Sequence, residues 1–147
     1  MKKTNNQGFS LVELIIVIAI MAVLVGVLAP QFIKYVEKTR VQKDASAVEE
    51  LRNAVEVALS EDAVYTEISG IVNSTTPLTI TVSPSAGTLA YSTTTVPSAL
   101  SASITSSIKA FTFSSKAYTT ATTGPIITVA LSGDTYTVTT TPPVLKK

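Results

Sequence analysis

From Leu14 to Ile33 the chain runs for 20 residues without a charge. A helix of that length spans roughly 30 Å at about 1.5 Å per residue, the thickness of a bilayer core. The stretch is mostly Leu, Ile, Val, Ala and Met, apolar on every face. A helix apolar all round belongs in a large core or in lipid. At 147 residues the chain cannot wrap such a core around it, so the expected surrounding is lipid.

Glu13 stands at the start of this stretch. A carboxylate at the centre of a spanning helix costs on the order of 2.5–3.5 kcal/mol, so its presence asks for a reason. Three readings compete. A cleaved secretory signal would use Lys2 and Lys3 as its basic start and Val27-Leu28-Ala29 as its cleavage site, but Pro30 follows that site and Glu13 interrupts the apolar region. A plain single-pass anchor explains the hydrophobicity and gives Glu13 no task. The third reading gives it one. A cut between Gly8 and Phe9 creates an α-amine one helical turn before Glu13. In a bundle of such helices that amine and a neighbour's carboxylate pair, which sets the register between subunits. The blander alternative is that Glu13 snorkels to the headgroups.

Gly8-Phe9-Ser10-Leu11-Val12-Glu13-Leu14 followed by an apolar run resembles the class III signal of type IV prepilins and type II secretion pseudopilins. The resemblance covers roughly Lys2 to Leu59. It implies a short basic leader (1–8) held in the cytoplasm and removed by a membrane prepilin peptidase. It implies methylation of the new N-terminal Phe9, and neutralisation of a neighbour's N-terminus by Glu13. Pro30 matches a helix-kinking proline of the family, and Ala22 departs from it, standing where many members have Gly. The implied partners are copies of the chain itself in a helical filament, the peptidase, an inner-membrane assembly platform, and membrane lipid before assembly. The implied location is a single-pass membrane precursor that becomes an extracellular filament.

Pro30 carries a reading of its own. Proline inside a helix removes one hydrogen bond and crowds the preceding turn, and with Gly26 it marks 26–31 as the expected bend. One pattern points the other way on orientation. Lys34, Lys38, Arg40 and Lys43 follow the span, against Lys2 and Lys3 before it, which by charge counting places the C-terminal side in the cytoplasm. The resemblance implies the opposite.

Beyond the span, Val41, Ala45, Val48, Leu51, Val55, Ala58 and Leu59 recur at threes and fours, predicting an amphipathic continuation over 34–62. Its charges, Asp44 among them, read as a solvated face. Phe9 to Asp62 is then one helix of about 80 Å, more than a small compact domain has use for. The rest, 63–147, changes character. Only Lys109, Lys116, Asp134, Lys146 and Lys147 carry charge beyond Ile68. Leu78–Val82, Ala110–Ser114, Ile126–Leu131 and Thr135–Thr140 read as strands, and Gly133-Asp134 as a hairpin turn. Val96, Leu100, Ile104 and Ile108 suggest a short helix starting near Ser98. The fold expected is α+β: a helical spine and a small antiparallel sheet head with Ser/Thr-rich loops.

With no His and no Cys, the chain lacks the commonest general base, any thiolate metal site and any disulfide. No catalytic residue, metal or cofactor is expected, and a net charge of +1 gives no bulk attraction to nucleic acid. Asn73-Ser74-Thr75 fits a glycosylation sequon. The function expected is a structural filament subunit acting in adhesion, motility or DNA uptake. The alternative is a pseudopilin of a type II secretion or competence machine, which shares the motif. The Ser/Thr head and the lack of a calcium-type acidic cluster favour the exposed filament.

Overall fold

A computed structural model describes residues 9–73, 75–84, 88–93, 97–108 and 112–143. The chain divides into two compact units, 1–37 and 38–147. Within the first unit the only described element is the start of α1, the helix Leu11–Ala58. Every residue from Leu14 to Ile33 is exposed there, and the helical assignment runs through Gly26 and Pro30.

The second unit is the α+β head. It holds the end of α1, then α2 (Asp62–Ser69), β1 (Leu78–Val82), β2 (Leu89–Tyr91), α3 (Ser98–Ser107), α4 (Lys116–Thr119), β3 (Ile126–Ser132) and β4 (Thr135–Thr141). The strands form one antiparallel sheet in the order β2-β1-β3-β4. Alternation decides its faces, since successive side chains point opposite ways. Leu78, Ile80 and Val82 on β1 and Ile127 and Val129 on β3 are fully buried. They join Val48, Leu51, Val55 and Ala58 from α1, with Leu100 and Ile104 from α3. Full burial of each such aliphatic side chain is worth about 1.5–3 kcal/mol. The other face is threonine-rich. Thr79, Thr128 and Thr139 stand in one row across three strands by register, and Thr135, Thr137 and Thr141 lie exposed along β4.

The hairpin joining β3 to β4 closes on the pair Ser132 and Thr135. Gly133 has φ +63, and no other described residue has positive φ. Positive φ at the first central position alone is the type II′ pattern, which suits a two-residue loop. Gly124 serves a different need. A Cβ there would sit 1.7 Å from the Val82 carbonyl oxygen, where the Val82 N–H donates to the Pro125 carbonyl at 3.0 Å. Gly124→Ala is therefore expected to pry β3's entry from the end of β1 and lower stability by about 1–3 kcal/mol, the usual range for overpacking. Urea unfolding of the variant against the parent checks this.

Several elements differ from the sequence expectation. The spine helix does not reach Asp62. It stops at Ala58, the chain turns through bonds from Ser60 N–H to Val57 and from Glu61 N–H to Ala58, and α2 begins. The reason lies in the helical period. In an unbroken helix Val64 would lie three turns past Asn53, and Ile68 three turns past Val57, both on the exposed face. The break re-aims them, and both become fully buried.

The expected strand at Ala110–Ser114 is not formed at 112–114; the Ser114 N–H there donates to Asp44 of α1 instead of to a neighbouring strand. Ala110 and Phe111 lie outside the described residues, as do Val96 and Ser74. The short helix near Ser98 is α3, and the strands at Leu78–Val82, Ile126–Leu131 and Thr135–Thr140 are β1, β3 and β4.

Candidate functional site

The first described residue, Phe9, is 92% exposed. Ser10 precedes the first helical residue, Leu11. Its N–H donates to Glu13 Oε2 at 2.8 Å. Ser10-Leu11-Val12-Glu13 thus forms the returning arm of a capping box, in which the third helical residue reaches back to the cap N–H. The carboxylate also faces the positive end of the helix dipole. Glu13 Oε1 makes no bond among the described residues. The sequence carries the signal for this cap, Ser-x-x-Glu before an apolar run.

The helix that follows exposes Leu14, Ile18, Met21, Val25 and Leu28 by half or more. It is long and apolar enough to cross a membrane, by length and composition. Gly26 lies in open space, with no atom near a Cβ placed on it. Gly8 lies outside the described residues. The site thus brings Phe9 and Glu13 to one helix start and leaves Gly26 and Pro30 far along the same helix.

Residues 3–29 match the family model described as the prokaryotic N-terminal methylation motif. The prepilin peptidase-dependent protein A of Clostridium perfringens is 33% identical over 70 residues, 48% of this chain and 50% of that protein. A fimbrial protein of Pseudomonas aeruginosa is 38% identical over 72 residues, 49% of this chain and 43% of its own. The type IV major fimbrial protein FimA of Dichelobacter nodosus is 35% identical over 57 residues, 39% of this chain and 36% of its own. The chain is type IV pilin-like. It matches half or less of the length of these curated relatives, and no solved structure matches it.

Two carboxylates in the head of this pilin-like chain hold segments that lie far apart in sequence. Asp44 is only 2% exposed, which corrects its expected place on a solvated face. It shares its face with Leu51 and Ala58, two and four turns on, so the core stripe begins with an acid. Its Oδ2 accepts from the Ser115 hydroxyl at 2.6 Å and the Ser115 N–H at 2.8 Å. The Ser114 N–H donates to both carboxylate oxygens at 3.0 Å, and the Ser114 hydroxyl to Oδ1 at 3.2 Å. Burial pushes this carboxyl up, and the bonds from Ser115 and then Ser114 outweigh it, holding the pKa below the ordinary Asp value.

Glu67, on α2, caps α3 from outside. Its two oxygens accept from the Ser98 hydroxyl and from the N–H groups of Ser98, Ala99 and Leu100 at 2.7–3.2 Å. These are the donors a helix start leaves unpaired. Neither carboxylate role has a local signature, since the partners lie 31 to 71 residues away. At the sequon, Asn73 Oδ1 accepts from the N–H and hydroxyl groups of Thr75 and Thr76, a side-chain turn that accounts structurally for an Asn there.

An open groove of about 530 Å³ includes Glu56, Tyr65, Asp134 and Tyr136 in its lining. Glu56 is already bonded to Arg52, and the two tyrosines meet edge to face at 5.5 Å. Among the described residues no group of His, Cys, Asp or Glu is placed to hold a metal.

Proposed function

We propose that this chain is a structural subunit of a type IV pilus or pilus-like filament, made as a membrane precursor and polymerised through the start of α1. The observation that carries the reading is a helix of bilayer length, exposed on every face, opening on Phe9 and Glu13 within the matched methylation motif. An apolar surface of that extent needs lipid before assembly and other copies of the helix after it. In this reading 1–8 is the leader, prepilin peptidase cuts between Gly8 and Phe9, and Phe9 is N-methylated. Glu13 pairs with a neighbour's new N-terminus. Gly26 and Pro30 mark where the helix bends on packing. The precursor spans the membrane once with its leader inside, an assembly platform extrudes it, and the filament lies on the cell surface. The Ser/Thr-rich outer sheet face supports a pilus over a secretion pseudopilus.

The test is intact mass and N-terminal peptide mapping of protein sheared from cells. The expected result is a mature chain beginning at N-methylated Phe9 in filaments of high molecular weight. A chain beginning at Met1 and held in the membrane fraction overturns the reading in favour of a simple anchor.

A further inference from the structure

β4 is an open edge of the sheet, with β3 on one side and no strand on the other among the described residues. Its hairpin closes on Ser132 and Thr135. A pair that closes a two-residue loop exchanges both backbone bonds, and bonded pairs then alternate along the ladder. Thr137, Thr139 and Thr141 therefore bond to β3 as Thr135 does, while the N–H and C=O groups of Tyr136, Val138 and Thr140 turn to the open side. Among the described residues these groups make no backbone bond outside the sheet. The four threonines are exposed, and Tyr136, Val138 and Thr140 are only half-buried, in the lining of open grooves of about 530 and 490 Å³. A sheet edge is a template for another strand, and proteins blunt it by shortness, lysine, proline or a bulge. The opposite edge, β2, is blunted by its length of three residues. β4 has seven, Thr-Tyr-Thr-Val-Thr-Thr-Thr, with no charge, no proline and an unbroken register.

We propose that this edge binds the same edge of a second copy, β4 against β4, antiparallel about a two-fold axis through Val138. The occupant is a second copy because the strand complements itself in that register. Tyr136, Val138 and Thr140 of one head meet Thr140, Val138 and Tyr136 of the other, and each pair exchanges the backbone bonds left open in a single head. Valine lies on valine and tyrosine reaches over threonine. On the outer face Thr137 stands opposite Thr139, a cross-strand pair of the kind that stabilises a sheet. No like charges are opposed along the strand. An arbitrary extended peptide meets the backbone bonds but not this side-chain match. A two-fold contact is isologous and closes after two heads. It does not propagate a filament; it ties together heads of separate filaments or of unassembled chains. The pairing needs the head alone, and only the link between filaments rests on the filament reading above.

The test exploits the lack of Cys in the chain. Full-length Thr137→Cys and Thr139→Cys chains are expressed separately and together, and membranes and sheared filaments are oxidised. In paired heads positions 137 and 139 face each other across a pair without backbone bonds, with Cα atoms about 4.5 Å apart, inside disulfide reach. Two copies of either single variant bring their thiols only to diagonal positions, about 7–8 Å apart. The expected result is a cross-linked dimer in the mixture at about ten times its level in either variant alone. No dimer in the mixture overturns the pairing, and so does equal dimer in every sample, the mark of collision or of another register. Adding Val138→Pro to both chains removes the central N–H from the open side and leaves the ladder to β3 intact. It is expected to return the mixture to the level of the single variants with the circular dichroism spectrum unchanged; a dimer level that persists overturns the pairing. Mixture-specific cross-links in membranes that yield no sheared filament support the pairing and overturn the filament reading.

Discussion

Asp44→Asn is expected to destabilise the head by about 3 kcal/mol, more than any surface change on α1. The carboxylate accepts from two backbone N–H groups and two hydroxyls of Ser114 and Ser115. Hydrogen bonds to a charged group contribute about 1.5–3 kcal/mol each, and a buried donor left unpaired costs about 1–3 kcal/mol. An amide offers one oxygen and turns an NH2 group toward donors. Urea unfolding followed by circular dichroism reads the loss; a midpoint within error of wild type would show that water replaces the carboxylate without cost.

The same clamp predicts a pH dependence. The Asp44 and Glu67 carboxyls both have folded pKa values below their ordinary ones. Burial raises each, and hydrogen bonds from Ser115 and Ser114, or from Leu100, Ser98 and Ala99, outweigh it. A group with a lowered folded pKa contributes stability that is present above its unfolded pKa, about 4, and lost as pH falls through the folded value. Wild-type stability should therefore drop on acidification below about pH 4, and Asp44→Asn should flatten that part of the profile.

The second large effect is on assembly. Glu13→Gln is expected to abolish filaments while leaving membrane insertion intact. Gln at the third helical position retains the capping arm to Ser10 N–H and removes only the charge that a neighbour's amine would pair with. Glu13→Ala removes both. If capping were the whole task of Glu13, Gln would assemble normally and Ala would not. Yields of sheared filament from the two variants separate these causes.

The elements legible beforehand were those whose pattern is local. β1, with Thr alternating against aliphatics, and the Gly133-Asp134 hairpin are written within a few residues each. So is the apolar run of α1. What escaped depends on partners far along the chain. Asp44 looks like any solvated acid until Ser114 and Ser115 arrive from 70 positions away. The break before α2 shows in the sequence only as a slip of phase, with Val64 and Ile68 off the apolar stripe of α1, and the need to bury both explains it. β2 has three residues, too few to show an alternation. At the candidate site, Phe9 and Glu13 were legible as a pair, while the bond from Ser10 to Glu13 adds a local task for the same carboxylate.

The threonine row on the outer sheet face has a consequence for how the protein meets its surroundings. No ionisable group stands on that face from Thr79 through Thr128 to Thr139, nor at Thr135, Thr137 or Thr141 along the edge strand. Its wetting is set by hydroxyls that neither titrate nor gather counterions. While acid loosens the Asp44 clamp beneath, this face of the sheet presents the same neutral coat in brine, fresh water or an acidified medium. Colloidal attraction between such faces is then insensitive to ionic strength, and any adherence they support rests on short-range hydration and shape.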